Sequence, residues 1–447
     1  MSSSSKSNPN SFYPPNNARQ NLGQLIVQLS TDPEQGTLTP ISNVQITIKQ
    51  TAPTGEEQVL ANFVTDEVGQ TPSIELPVPP IDYSLDPTNT QIPYATYRIE
   101  TTSTNYIDTI VRGSQVFADT LSVQPIYLQP TTRFQRGTGR HPREKFIRQL
   151  SEDIVIGPAT LYGNYPDKIP EAEVKPIIPG SGFITLSSVI VPEFIIVHSG
   201  SPNDNTAPNY TVPFLDYIAN VASSEIYPTW PTETIKANVI AIVSFTLNRV
   251  FTEWYRNQGK SYTITNSTAY DHAFFYGRNL FDTIVPIVNE VFDIYVKRPG
   301  VLQPLLTQYC DGVKSQCPNW MTQWGSKDLG DAGFSAEQIL RNFYGNIDLS
   351  TAPAVEGNPE SYPGTPLQIG SSGPAVRQLQ QQLNRISQNY PLIPKVAVTG
   401  NFDDATADAV RTFQQIFHLT PDGIVGKSTW YEISRIYVAV SKLAELG

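Results

Sequence analysis

The feature that most constrains this chain is a change of period. Up to about residue 140 the apolar residues recur every second position, and no helical period appears. "NVQITIKQ" alternates Val44, Ile46 and Ile48 on one face, and "GQLIVQLS", "ATYRIETTSTNY" and "VQPIYLQP" read as further strands. After residue 181 two strand-like runs, "FITLSSVIVPEFIIVHSG", give way to helical spacing that continues to about residue 250. A chain that switches period in this way cannot form one continuous layer. It predicts a multidomain α+β protein: an all-β sandwich over 21–130, a central α+β unit over 181–350 and a compact helical unit over 367–447. With 447 residues, the length allows about three domains at roughly 150 residues each.

The joints are legible from composition. Residues 1–20 are Ser, Asn and Pro without periodicity and predict a disordered tail. Residues 131–180 begin with six basic side chains, Arg133, Arg136, Arg140, Arg143, Lys145 and Arg148, and continue as the Pro-rich "NYPDKIPEAEVKPIIPGSG". This segment reads as a solvated linker. It also reads as a joint that a protease can cut, because nicking concentrates in exposed irregular chain. A second Pro/Gly-rich linker spans 351–366.

Net charge is −11, which argues against a nucleic-acid partner. No run of 18 apolar residues predicts a membrane span. The polar start lacks the apolar segment of a signal peptide, so synthesis in a cytoplasm is expected. Cys310 and Cys317, with six residues between them, leave a short-loop disulfide or two free thiols open. Their spacing does not suit zinc, and His272 or His198 would be the remaining candidate ligands in that unit. No cofactor and no metal are expected.

The central unit holds the candidate chemistry. "VPFLDYIANVASSEI" predicts a helix started by Pro213, with Leu215, Ile218 and Ala222 as its buried stripe. Glu225 is the next member of that series. An acid therefore lands on the apolar face in the last turn, where desolvation and the negative helix end both raise its pKa. A carboxylic acid that donates a proton near neutral pH needs such a place. Tyr227 and Trp230, between Pro228 and Pro231, offer flat faces on which a sugar ring could stack. The neighbouring acids Asp216 and Glu233 read as structural.

"FLDYIANVASSEIYPTWPTETIKANVIAIVSFTLNRV" resembles the SpoIID-type lytic transglycosylase domain. So does "MTQWGSKDLGDAGFSAEQILRNFYGNIDL", which is similar to that family's closing segment. The resemblance implies that Glu225 is the catalytic acid/base, and that Lys236, Ala237, Gln323, Trp324 and Gly325 occupy family motif positions. Lys236, Gln323 and Trp324 join Tyr227 and Trp230 as candidate substrate-binding residues. Asn238 stands where the family has Gln, and Val243 where it has Arg. At the C-terminus, "LQIGSSGPAVRQLQQQLNRI", "TGNFDDATADAVRTFQQIFHL" and "DGIVGKSTWYEI" resemble the three-helix peptidoglycan-binding module, with Val376, Leu379, Leu383, Ile386, Val410, Phe413 and Phe417 facing inward. The β unit is similar to transthyretin-like modules.

The order of units resembles spore cortex-lytic enzymes of spore-forming clostridia. This implies a lyase that cuts cortex peptidoglycan during germination, held as a zymogen and activated by a serine protease at 131–180. It also implies residence in the coat and cortex layers after synthesis in the mother cell. Two alternatives stand beside it: an N-acetylmuramoyl-L-alanine amidase, whose usual zinc-ligand set is not visible here, and a non-catalytic wall-binding coat protein.

Overall fold

The structure is a computed structural model, and it describes residues 21–32, 36–51, 55–131, 151–175, 186–352, 354–355 and 361–441. The expected tail and the basic part of the joint lie outside the described residues.

Alternation dictates the N-terminal unit. The strands are β1 (Leu22–Thr31), β2 (Gln45–Thr51), β3 (Glu57–Val64), β4 (Ile74–Pro77), β5 (Ala95–Thr102), β6 (Thr109–Val116) and β7 (Leu121–Leu128). β1, β2 and β5 bury about every second residue in a shared core, whereas the edge strand β3 only rests Leu60 and Phe63 against it. Val44, Ile46, Ile48, Leu25, Val27, Tyr97 and Ile99 are buried there. A one-turn helix, α1 (Asp82–Leu85), interrupts the strands.

The sandwich does not end at residue 130. β8 (Glu152–Val155) pairs in parallel with β6 and completes a five-stranded sheet, β3-β2-β5-β6-β8, with Ile154 and Ile156 in the core. Four residues of "EDIV" carry too little alternation to announce a strand.

The central unit begins with β9 (Ile190–Val191), β10 (Phe194–His198) and β11 (Asn209–Pro213), which lead into helix α2 (Phe214–Glu225). Pro213 is the N-cap of α2, and Ile218, Ala222 and Glu225 are buried along it. Ile226 leaves the helix in an extended conformation ahead of Pro228. Helix α3 (Thr232–Phe251) is buried on nearly every side, with Asn238, Asn248 and Arg249 among its buried residues, and forms the centre of the unit. Around it lie β12 (Ile264–Thr265), β13 (Leu280–Phe281), α4 (Val285–Val291), β14 (Ile294–Lys297), β15 (Tyr309–Cys310), β16 (Met321–Thr322), α5 (Gln323–Asp331), α6 (Ala336–Tyr344) and β17 (Asp348–Thr351). β13 pairs antiparallel with β7, so the central unit adds a strand to the other sheet of the sandwich, β13-β7-β1-β4.

Helices α7 (Pro374–Ile386), α8 (Asp404–Ile416) and α9 (Lys427–Ser441) form the C-terminal unit. The Asp403 side chain caps α8 by accepting from the Thr406 N–H at 2.9 Å. Val376, Leu379, Leu383, Ile386, Val410 and Phe413 are fully buried. This unit docks on both others: Gln70 donates to the Ile416 carbonyl at 2.7 Å, and Lys427 pairs with Asp293 at 2.6 Å. No helix among the described residues is long and apolar enough to cross a membrane.

Candidate active site

Glu225 closes α2, and its carboxyl group faces a cavity of about 220 Å³. Its Oε1 accepts from the Ala273 N–H at 2.6 Å, and its Oε2 accepts from the Tyr309 hydroxyl. Burial pushes the Glu225 pKa up. The nearby Lys168 ammonium and these two hydrogen bonds act against that shift without cancelling it. Because the Ala273 amide fixes Oε1 as an acceptor, a proton taken up by this acid would sit on Oε2, beside the Tyr309 hydroxyl. Glu225 is only 3% exposed, so an approaching group meets it in a place largely cleared of water.

Four chain segments build the cavity around this acid, the fourth of them the loop after β12 that supplies Thr268, Asp271 and, against Glu225, the Ala273 amide. The first is α2 itself. The second is β15 with the loop after it. Tyr309 and Cys310 pair with Met321 and Thr322, which sets Tyr309 beside Glu225 and places Gln323 at the start of α5. Gln323 lines the cavity and donates to the Glu225 carbonyl at 3.1 Å. Gly325 is required just after it, because a Cβ there would meet Thr322 Oγ1 at 2.2 Å. Cys310 and Cys317 are joined as a disulfide, closing the loop that carries the cavity residues Asp311, Lys314 and Ser315.

Pairing Cys310→Ser with Cys317→Ser is expected to cost about 2–3 kcal/mol, the scale for a short closed loop. A thermal melt with and without reductant checks this, with the double variant insensitive to reductant.

The third segment is a strap, residues 157–175, which the sequence assigns to the linker. Thr160, Tyr165, Asp167 and Lys168 from this strap line the cavity. The strap is pinned along its length. The Thr160 N–H donates to the Ser224 carbonyl at 3.0 Å, the Ile169 N–H to the Ala269 carbonyl at 2.7 Å, and the Glu171 N–H to Gln308 Oε1 at 2.9 Å.

Behind it lies a buried charge cluster. Arg249 on α3 pairs with Asp271 at 2.7 Å and with Glu171 of the strap at 2.6 Å. Asp271 also accepts from the Tyr255 hydroxyl at 2.6 Å and the Thr265 N–H at 2.9 Å. His272 packs behind Tyr309 with its Nδ1 against the Tyr217 hydroxyl at 3.0 Å, and burial pushes its pKa well below the usual value, so the ring is neutral.

Of the sequence candidates, the structure brings Glu225 and Gln323 together at the cavity. Tyr227, Trp230 and Trp324 are buried elsewhere, 3%, 4% and 6% exposed. They pack on one another, with ring centroids 5.0–6.1 Å apart. Phe117 of the β unit covers Tyr227 at 5.3 Å, and the Trp230 Nε1–H donates to the Ser84 carbonyl at 2.9 Å. These faces are therefore occupied by protein and are not cavity walls. Lys236 pairs with Glu290 at 2.9 Å, also outside the cavity. Asp216 pairs with Arg435 at 3.2 Å, and Glu233 accepts from the Ala336 N–H at 2.7 Å. Sequence reasoning missed Tyr309, the Ala273 amide and Lys168. Among the described residues, no three His, Cys, Asp or Glu side chains are grouped so as to hold a metal ion.

Residues 203–282 match the SpoIID family, described as Stage II sporulation protein, and residues 372–433 match the putative peptidoglycan binding domain. The chain carries both domains. Glu225, Asp271 and Ala273 fall inside the first match; Lys168 and Tyr309 fall outside it.

Two curated proteins are similar over parts of the chain. The N-acetylmuramoyl-L-alanine amidase CwlL of Bacillus licheniformis is 26% identical over 152 residues, which is 34% of this chain and 40% of that protein. The zinc D-Ala-D-Ala carboxypeptidase of Streptomyces albus G is 41% identical over 71 residues, 16% of this chain and 26% of that protein. The chain thus spans less than half the length of either. Among solved structures, sea bream transthyretin is 18% identical, covering 25% of this chain and 98% of its own, with a TM-score of 0.14. At that score the likeness carries no argument. The domain content points to a protein that acts on the cell wall.

Proposed function

We propose that this protein is a lytic transglycosylase of spore cortex peptidoglycan, with Glu225 as its single acid/base. The observation that carries this reading is one buried carboxyl group with a raised pKa, at a helix end, facing a cavity. Retaining and inverting glycosidases position a second carboxylate across the scissile bond. Of the other carboxylates that line the cavity, Asp271 is committed to Arg249, Tyr255 and Thr265, and Asp311 accepts from the Lys314 and Ser315 amides at 2.8 Å, which leaves Asp167 of the strap as the second carboxylate that a hydrolytic reading would have to use.

In this mechanism Glu225 gives its Oε2 proton to the glycosidic oxygen, and the bond from C1 to that oxygen breaks. The leaving sugar departs as an alcohol. The C6 hydroxyl of the muramoyl residue attacks C1 and returns its proton to Glu225. The product is a 1,6-anhydro ring, no water is consumed and Glu225 is restored. Intramolecular attack gains the entropy that a water nucleophile would cost. The C-terminal module would hold the enzyme on its insoluble polymer and raise its effective concentration there.

The finer identity belongs to the same proposal. The order of units resembles the spore cortex-lytic enzyme SleC. On that likeness the chain is made in the mother cell, lies in the coat and cortex layers, and is activated during germination by a serine protease at 131–180. The β unit that covers Tyr227 and Trp230 would then be an inhibitory or chaperoning part.

The test is digestion of cortex peptidoglycan with mass analysis of the fragments. Anhydro-ended fragments that disappear in Glu225→Gln support the reading. Freed stem peptides would instead mark the amidase activity that CwlL's name describes, and binding without any fragment would mark a wall-binding coat protein.

A further inference from the structure

The strap contributes a cation whose hydrogen-bond donors the fold does not use. Lys168 Nζ is buried and has no hydrogen-bond partner in the described structure. It lies 4.4 Å from the centre of the Tyr309 ring and 4.7 Å from that of Phe245, and it lines the same cavity as Glu225. Ring faces compensate a desolvated ammonium only in part, because none of its three N–H groups finds an oxygen. Burial accordingly pulls its pKa down to about 8. The carboxylates of Glu225 and Asp271 attract the charge without accepting a hydrogen bond from it, so three buried N–H donors are left unused, which costs stability.

The strap that presents it is not a loose cover. The Arg249–Glu171 pair and the hydrogen bonds from Thr160, Ile169 and Glu171 tie it to the central unit on both sides of Lys168.

The cavity's charge defines what the ammonium can take. Among the described residues Glu225, Asp167, Asp271 and Asp311 line it, with Lys168 and Lys314 as the bases. Lys314 already donates to the Tyr162 carbonyl. An anionic ligand would meet this excess of carboxylates, whereas an uncharged oxygen would not.

We propose that Lys168 is a substrate-binding residue: its ammonium donates to an uncharged acceptor oxygen, an acetamido carbonyl or a hydroxyl, of an N-acetylhexosamine chain lying against Glu225. The inference rests on the transglycosylase reading for the reaction, but the contact itself is a binding claim. It makes residues 157–175 part of the active unit, ahead of the matched domain.

The experiment uses the full chain. Lys168→Met is made alone and in the Glu225→Gln background, with Lys168→Arg as the conservative variant. Binding of tetra-N-acetylchitotetraose to Glu225→Gln is measured by calorimetry, and turnover is measured on cortex peptidoglycan. A hydrogen bond from a charged donor sets the expected scale: roughly a ten-fold or greater weakening of binding, with the turnover loss carried mainly in KM. Lys168→Arg restores part of it. The Tm of Lys168→Met stays level or rises.

The pH profile supplies a readout that packing alone would not move. Glu225 is faced by Lys168 and Tyr165 from the strap, by Tyr309 from β15, by Tyr217 from its own helix and by the Ala273 amide, while Asp271 lines the same cavity and neutral His272 stacks behind Tyr309. The Lys168 charge holds the Glu225 pKa down, so Lys168→Met shifts the alkaline limb to higher pH. Unchanged binding and KM in Lys168→Met overturn the proposal. So does a fall in Tm whose loss of activity simply follows the unfolded fraction. If Glu225→Gln still releases anhydro fragments, the reaction assignment fails, while the binding comparison still decides Lys168.

Discussion

Glu225→Gln is expected to remove anhydro-fragment release by about 10²–10⁴-fold, the range for losing a general acid. The same variant is expected to be more stable than the parent at alkaline pH. The amide keeps the shape of the acid. Its oxygen still accepts from the Ala273 N–H, and the Tyr309 hydroxyl can turn to accept from the new NH₂ group.

The sign of the stability change follows from the raised pKa. The folded state holds the Glu225 proton more tightly than the unfolded chain does. Its contribution is therefore fully present below the unfolded pKa and is lost as pH rises through the folded one. Glutamine never ionises, so the gap in Tm between variant and parent should be closed in acid, open as pH rises past the unfolded pKa and reach its full size once pH has passed the elevated folded one. Melts across a pH series check this. A parent that is equally or more stable at every pH would mean that the acid sits in water.

Arg249→Ala is expected to destabilise the protein by about 3–5 kcal/mol, the scale for breaking a buried ion pair on one side. The guanidinium is fully buried and bonds Asp271 and Glu171 together. Without it Asp271 keeps Tyr255 and Thr265, and Glu171 keeps Lys175. Neither is then neutralised by the central helix, and the strap loses its anchor to α3. Denaturant titration measures the loss, and Arg256→Ala, a half-exposed neighbour paired only with Glu253 at 3.4 Å, is the control. Equal stability of Arg249→Ala and its parent would show that the strap is held by its backbone alone.

The sequence announced the parts of this site that share a local period. Glu225 continues the stripe of Ile218 and Ala222, and the last turn of α2 is where the stripe stops. Val376, Leu379, Leu383 and Ile386 mark α7 in the same way. Gln323 was found through its motif. The strap was not legible, because "NYPDKIPEAEVK" has no period and its attachment runs through single bonds to residues about 65–140 positions away. Tyr309 lies 84 residues from Glu225, and only the pairing of β15 with β16 brings it near. Tyr227, Trp230 and Trp324 show the opposite failure. A cluster of aromatic residues near an acid reads as a sugar platform, yet here the rings satisfy one another and the β unit.

The most direct measurement is digestion of cortex peptidoglycan in water enriched in heavy oxygen, with mass analysis of the new glycan ends. Closure of the C6 hydroxyl onto C1 predicts ends one water lighter than hydrolytic ones and free of label. New ends that carry the heavy oxygen would contradict the account, since solvent would then have been the nucleophile.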